Sequence, residues 1–399
     1  MSDRGNGVTA AAGFRASGIH CGLRREHADL ALVVSDRPAV AAAVFTTNRV
    51  QAAPVTESKT RLAASGGRAR AIMVNAGNAN ACTGERGDRA ARQTVEETAR
   101  LLGLPPDEVL VASTGVIGQQ LAVDKILAAL PHSVDELSVE GGDAAARAIL
   151  TTDTFAKQSL RRVVEPEGSY TVGGMAKGSG MIHPDLATTL AFVTTDAQVE
   201  PEVLQRALET AVDQSFHRVT IDGDTSTNDM VAVLANGASG IHVGGGPRRE
   251  DFERTLTTVL VDLARDVARD GEGASRLITV RVTGGASDAD ALAVARVISS
   301  SLLVRTAVYG ADANWGRIVA AAGRSGVAVE PERMTVRLNG LAVLEPGFVS
   351  AFSEEEARDR LSADDVELGL DLGQGDGEAE TWTCDLTEGY IEINAHYRT

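Results

Sequence analysis

The run Thr188-Thr189-Leu190-Ala191-Phe192-Val193-Thr194-Thr195 constrains this chain more than any other stretch. It is β-branched and apolar throughout, so it reads as a buried strand. What precedes it is as restrictive. Gly173-Gly174-Met175-Ala176-Lys177-Gly178-Ser179-Gly180 reads as a glycine-shaped loop, and His183-Pro184-Asp185-Leu186-Ala187-Thr188 sets a small residue before a threonine. In such a loop the threonine hydroxyl can attack the carbonyl of Ala187. Hydrolysis of the resulting ester frees Thr188 as a new N-terminus. Its α-amine, with an unperturbed pKa of roughly 8, then lies beside its own hydroxyl and can take the proton. An Ala-Thr pair is also an ordinary strand start, and the hexapeptide alone leaves both readings open.

A chain of 399 residues has room for two or three domain-sized units. Formal net charge is −17, which argues against a basic groove for nucleic acid. The three cysteines, Cys21, Cys82 and Cys384, are far apart and form no CxxC pair, so they read as reduced, mostly buried thiols rather than a disulfide framework or zinc site. The histidines show no HxxxH or HxH spacing, and no metal site is expected. No signal-peptide core lies in residues 1–22, and no run approaches the ~18 apolar residues of a membrane span. The expectation is a cytoplasmic protein without a membrane partner.

Short β-branched runs alternate with alanine-rich helical patterns. Residues 28–35, 39–46, 70–75, 109–112, 230–234, 277–282, 334–338, 366–372, 380–385 and 390–395 read as strands. Residues 88–102, 143–150, 250–270, 288–301 and 353–365 read as helices, with another inside 199–215. Ser287 is a plausible N-cap for the helix at 288. Ser113-Thr114-Gly115 reads as a turn after a strand, and residues 244–249 and 373–378 as surface turns. The pattern is that of an α/β or α+β protein with several buried sheets.

The segment 173–197 resembles the nucleophile segment of the ornithine acetyltransferases, the bifunctional ArgJ family of arginine biosynthesis. Blocks at 45–49, 75–84, 113–118, 151–154, 222–229, 270–274, 310–317 and 394–399 match the same family in order, so the resemblance spans nearly the whole chain. It departs at Asp185, Leu186 and Thr189, where the family usually has Asn-Met before the Ala-Thr pair and Met after it; Asp185 sets a possible charge near the scissile bond, and Thr189 is a second threonine beside the first.

The resemblance implies an αββα sandwich, similar to the cleaved aminopeptidases, cut at Ala187-Thr188 into chains 1–187 and 188–399 that reassemble as an α2β2 heterotetramer. It implies acetyl transfer from N2-acetylornithine to glutamate through acetyl-Thr188, with no cofactor; some members also take acetyl-CoA. Alternatives are a hydrolase of similar fold, a binding protein, and the same transfer serving a specialised metabolite. By resemblance, Thr114 and Gly115 form the oxyanion hole, Lys177 holds the substrate carboxylate, and Glu272 the distal ammonium. Thr151, Asn394 and Thr399 match further substrate-binding positions, with Thr154 as an alternative to Thr151.

Read on their own, these residues are plainer. Lys177 precedes the closing glycine, which the phosphate-loop pattern does not allow, and stands as a solvated charge. Glu272, between Gly271 and Gly273, reads as an exposed turn residue. Asp222 to Asp229 lacks the EF-hand spacing and reads as a structural loop near the cleavage centre. Trp315 reads as packing.

Overall fold

A computed structural model describes residues 6–183 and 189–396. Asp185, Leu186, Ala187, Thr188 and Thr399 therefore lie outside the described residues. The chain divides into two compact units. The first gathers Met1–Gly178, Asp185–His217 and Thr225–Leu263; the second gathers Ser179–Pro184, Arg218–Asp224 and Ala264–Thr399.

The strands of the first unit are β1 (Phe14–Ile19), β2 (Leu30–Ser35), β3 (Val40–Phe45), β4 (Ala71–Asn78), β5 (Val109–Val116), β6 (Lys157–Glu165), β7 (Gly168–Lys177), β8 (Leu190–Thr195), β9 (Gln198–Val199), β10 (Met230–Ala235) and β11 (His242–Val243). Its helices are α1 (Ala53–Ala64), α2 (Gly84–Leu102), α3 (Val123–Asp135), α4 (Gly142–Ala148), α5 (Pro201–Asp213) and most of α6 (Pro247–Arg269). One sheet runs β1-β2-β4-β5 and a second β3-β10-β8-β7-β6; β9 and β11 form a small pair.

Period-two alternation decides what each face of β2 meets. Ala31 and Val33 join Phe14, Ile72 and Leu110 against Ala43, Met175, Phe192, Met230 and Leu234 of the second sheet. Leu30, Leu32 and Val34 face the other way, onto Val95 and Ala99 of α2 and Ile126 and Leu130 of α3. The outer face of the second sheet is covered by α5, which packs on β3 and β10, and by α6, whose Phe252 ring lies 6.2 Å from that of Tyr170. Helices, sheet, sheet and helices follow in layers, which is the αββα sandwich the resemblance implied.

The second unit holds β12 (Leu277–Gly285), β13 (Thr335–Leu338), β14 (Leu341–Leu344), β15 (Asp365–Asp371) and β16 (Gly377–Cys384), ordered β14-β13-β15-β12-β16. Helices α7 (Asp288–Ser299), α8 (Leu302–Tyr309), α9 (Trp315–Gly323), α10 (Glu354–Leu361) and α11 (Glu388–Ala395) complete it. Ile278, Val280 and Val282 pack with Val294, Ile298, Ile318 and Leu368, and Trp315 leans on that cluster. Ser287 caps α7 as expected, its side chain accepting from Asp290 N. Among the described residues no single helix is long and apolar enough to cross a membrane.

Several sequence readings need correction; residues 247–249, read as part of a surface turn, already belong to α6. Residues 390–395 are helical, not a strand: Thr387 caps α11 by accepting from Gly389 N, and the apolar Tyr390, Ile391 and Ile393 that suggested a strand are not buried. Ser113-Thr114-Gly115 is not a turn; β5 continues through it, pairing Thr114 with Ala76 and Gly115 with Gly77. Gly173 to Lys177 is strand β7 rather than loop. Its glycines serve packing, since a Cβ on Gly173 would lie 2.1 Å from Gly7 O. Of the thiols only Cys384 is buried, and Cys82 is exposed.

Candidate functional site

In the first unit three residues singled out in the sequence meet. Thr114 lies near the end of β5, Lys177 ends β7, and Thr151 follows α4. Lys177 Nζ donates to Thr151 Oγ1 at 2.7 Å and to Thr114 Oγ1 at 3.4 Å. Lys177 is 3 % exposed, so the solvated-charge reading fails. Gly115 adopts φ 129°, and a Cβ there would stand 2.4 Å from Gly77 C, so only glycine fits where β5 presses on β4.

Asp153, which carried no separate weight in the sequence, holds this cluster in place. Its carboxylate accepts from Lys157 Nζ and Gly178 N, each at 2.7 Å, and from Thr151 N at 3.0 Å; Lys177 Nζ lies 3.7 Å away. Burial alone would raise the Asp153 carboxyl. The charges of Lys177 and Lys157, with the bonds from Lys157 and Gly178, outweigh it and hold the group well below the usual carboxylate range. The TTDT block was one sequence signal for it. The other, a buried Lys157 four residues on, is visible only in the fold.

In the second unit Glu272 is 8 % exposed, not an exposed turn residue. Its backbone N donates to Ser179 O at 2.8 Å, and its Oε2 accepts from Asn394 Nδ2 of α11 at 2.7 Å. The flanking glycines are packed tight: a Cβ on Gly271 would meet Cys384 Sγ at 2.4 Å, and one on Gly273 would meet Tyr390 N at 2.4 Å. Two further substrate-site expectations, Glu272 and Asn394, thus touch each other, while Thr399 lies outside the described residues.

The acidic segment 222–229 grips backbone on either side of residues 184–188. In the second unit Asp222 accepts from Met181 N at 2.5 Å and Ile182 N at 2.8 Å. In the first, Asp229 accepts from Thr189 N at 3.0 Å. Among the described residues no group of three or more His, Cys, Asp or Glu is placed to hold a metal ion.

A chain with this sandwich and these clusters has clear relatives. The ArgJ family model matches residues 15–399. The arginine biosynthesis bifunctional protein ArgJ of Gloeobacter violaceus is 48% identical over 398 residues, covering 98% of each chain. That of Chlorobaculum tepidum is 48% identical, covering 97% of this chain and 96% of its own. The crystal structure of the arginine biosynthesis bifunctional protein ArgJ from Bacillus halodurans is 46% identical with a TM-score of 0.50; the match covers 51% of this chain and 97% of that one.

Proposed function

We propose, for this chain, which belongs to the ArgJ family, that Thr188 carries an acetyl group from N2-acetylornithine to glutamate in arginine biosynthesis. After scission at Ala187-Thr188, the Thr188 hydroxyl attacks the acetyl carbonyl while the α-amine takes its proton. The carbonyl C–N bond breaks, that proton goes to the leaving nitrogen, and ornithine departs. The α-amine of glutamate then attacks the ester, giving N-acetylglutamate and restoring the hydroxyl.

The residue roles rest on one observation above all, the convergence of Thr114 and Thr151 on a buried Lys177. Donor and acceptor share an α-carboxylate, and Lys177 with Thr151 suits it through charge-assisted bonds. The Thr114 hydroxyl and Gly115 N–H suit the oxyanion. Glu272, steadied by Asn394, suits the ammonium that only ornithine brings. The half-length Bacillus halodurans chain supports a two-chain mature protein, here 1–187 and 188–399 in an α2β2 assembly, with Thr399 as a further substrate-binding residue.

An intact-mass spectrum tests this. The wild type should give two fragments, and Thr188→Ala one uncut chain. Incubation with N2-acetylornithine should add one acetyl group to the fragment that begins at Thr188. An active, uncut wild type, or turnover without that mass gain, would overturn the reading.

A further inference from the structure

The segment 225–229 is built into the first unit more tightly than a connecting loop needs to be. Asn228 Nδ2 donates to Ala79 O at 2.7 Å and to Ser113 O at 2.9 Å, tying the segment to the strand that carries Thr114. Thr46 N donates to Asp229 O at 3.0 Å, and Met230 N to Thr189 O at 3.1 Å. Parallel pairing of β10 with β8 sets Met230 opposite Leu190, so Asp229 stands where β8 begins.

The Asp229 side chain is buried and only half used. Oδ1 accepts from Thr189 N, while Oδ2 has no hydrogen-bond partner among the described residues. Ser226 and Thr46 hydroxyls face the carboxyl, but Thr46 Oγ1 gives its proton to Ser226 O at 2.6 Å. Burial pushes the group well above the usual carboxylate range, against the bond from Thr189 N, those hydroxyls and the Lys177 charge. Burial thereby favours the neutral carboxylic acid over the carboxylate. With Oδ1 accepting, its proton sits on Oδ2. An unpartnered buried donor costs about 1–3 kcal/mol and calls for a reason.

Covalent structure supplies one. Thr189 N is three bonds from Thr188 N, the atom that must gain a proton when the Ala187 carbonyl moves to the Thr188 hydroxyl. We propose that Asp229 is the proton shuttle of chain scission. As Thr188 Oγ bonds to the Ala187 carbonyl carbon, the carbon–nitrogen bond breaks and Oδ2–H passes its proton to Thr188 N. The carboxylate then takes the proton that Oγ gives up, so the amide becomes an ester with no net gain or loss. Water hydrolyses the ester, leaving the Ala187 carboxylate and free Thr188. This inference rests on the scission reading above and adds the acid that the Thr188 amine, not yet free, cannot supply.

The test compares full-length chains on denaturing gels over time, with and without hydroxylamine, which cleaves an ester but not an amide. Wild type cut into two fragments secures the scission reading itself. Asp229→Asn keeps an acceptor for Thr189 N but loses the acid; it should stay uncut with or without hydroxylamine, slower by at least 100-fold, while melting with Thr188→Ala. Scission at the wild-type rate would overturn the shuttle, as would fragments released by hydroxylamine, because the shift would then proceed without Asp229. Should Asp229→Asn not fold, Asp229→Glu against Asp229→Gln decides, since both carry the same packing change. The acid should cut at least tenfold faster than the amide; equal rates would overturn the proposal.

Discussion

Glu272→Gln separates the two half-reactions. The substitution is nearly isosteric, and the glutamine can still offer a carbonyl oxygen to Asn394 Nδ2, now 2.7 Å from Glu272 Oε2. Position 272 is 8 % exposed and its backbone N–H is already satisfied by Ser179 O, so the local fold should survive. What disappears is the negative charge. A hydrogen bond to a charged group contributes about 1.5–3 kcal/mol, or roughly 10- to 150-fold in kcat/KM. That loss should fall on N2-acetylornithine, which carries the ammonium. The glutamate half-reaction, whose substrate has no distal cation, should change by about threefold or less, for loss of a neutral contact. Isotope exchange reads the two apart: labelled ornithine into N2-acetylornithine, and labelled glutamate into N-acetylglutamate. Equal losses in both would refute the reasoning, because Glu272 would then serve the shared part of the site or its folding.

Gly180→Ala should give a milder copy of that pattern. Its Cβ would lie 2.5 Å from the Glu272 carboxylate, the mobile end of a side chain that can yield, so ornithine exchange should fall more than glutamate exchange; parallel losses would count against it. Asp153→Asn leaves Lys157 and Lys177 without their shared carboxylate, and urea midpoints should report a loss of about 3–5 kcal/mol. A loss under about 1 kcal/mol would mean that the cluster does not hold the strand end. The pH dependence of Asp229 has a definite sign. Its folded pKa is raised, so its contribution is full below the unfolded value of about 3.9 and is lost as pH rises toward the folded one. With uncut Thr188→Ala as parent, adding Asp229→Asn should become relatively more favourable in urea melts as pH rises above about 4, and a pH-independent difference would refute the raised pKa.

Strands such as β2 and β12 were legible because β-branched apolar runs are written in residues 30–34 and 277–282, whereas β1, β6 and β7 were not read. Helix α2 was legible from its amphipathic face, and α7 from Ser287. Helix α11 was not: its residues are not buried, so its apolar spacing had no core to report, and only Thr387 marked the cap. Gly173 and Gly174 read as loop because glycine signals flexibility in sequence, whereas here it signals close packing, of Gly7 O on Gly173 and of Val193 and Leu263 on Gly174. Among the proposed site residues, Thr114, Thr151, Lys177, Glu272 and Asn394 came from resemblance. The pairings Lys177 with Thr151 and Glu272 with Asn394 span 26 and 122 residues, separations on which local pattern is silent. Asp153 escaped notice because its importance lies in two buried lysines, and burial is a property of the fold.

The proposed cut falls inside the sandwich rather than between units, and this decides what happens to the fragments. Strands β8 and β10 belong to residues after Thr188; β3 and β7 belong to residues before it. In the second sheet they interleave as β3-β10-β8-β7, with six residue pairs joining β7 to β8 and six joining β3 to β10. Leu190, Phe192, Val193, Met230 and Leu234 are all at most 2 % exposed. At roughly 1.5–3 kcal/mol each, these five side chains alone contribute about 7–15 kcal/mol. That matches the ~4–15 kcal/mol of lost freedom in holding two chains together, before any ladder hydrogen bond or the rest of the core is counted. Scission would therefore remove a covalent link from a sheet that does not depend on it. The free N-terminus would begin two residues ahead of β8, held by Thr189 N on Asp229. The fragments should co-elute under native conditions and separate only in denaturant; their separation in native buffer would mean that the sheet does not hold them.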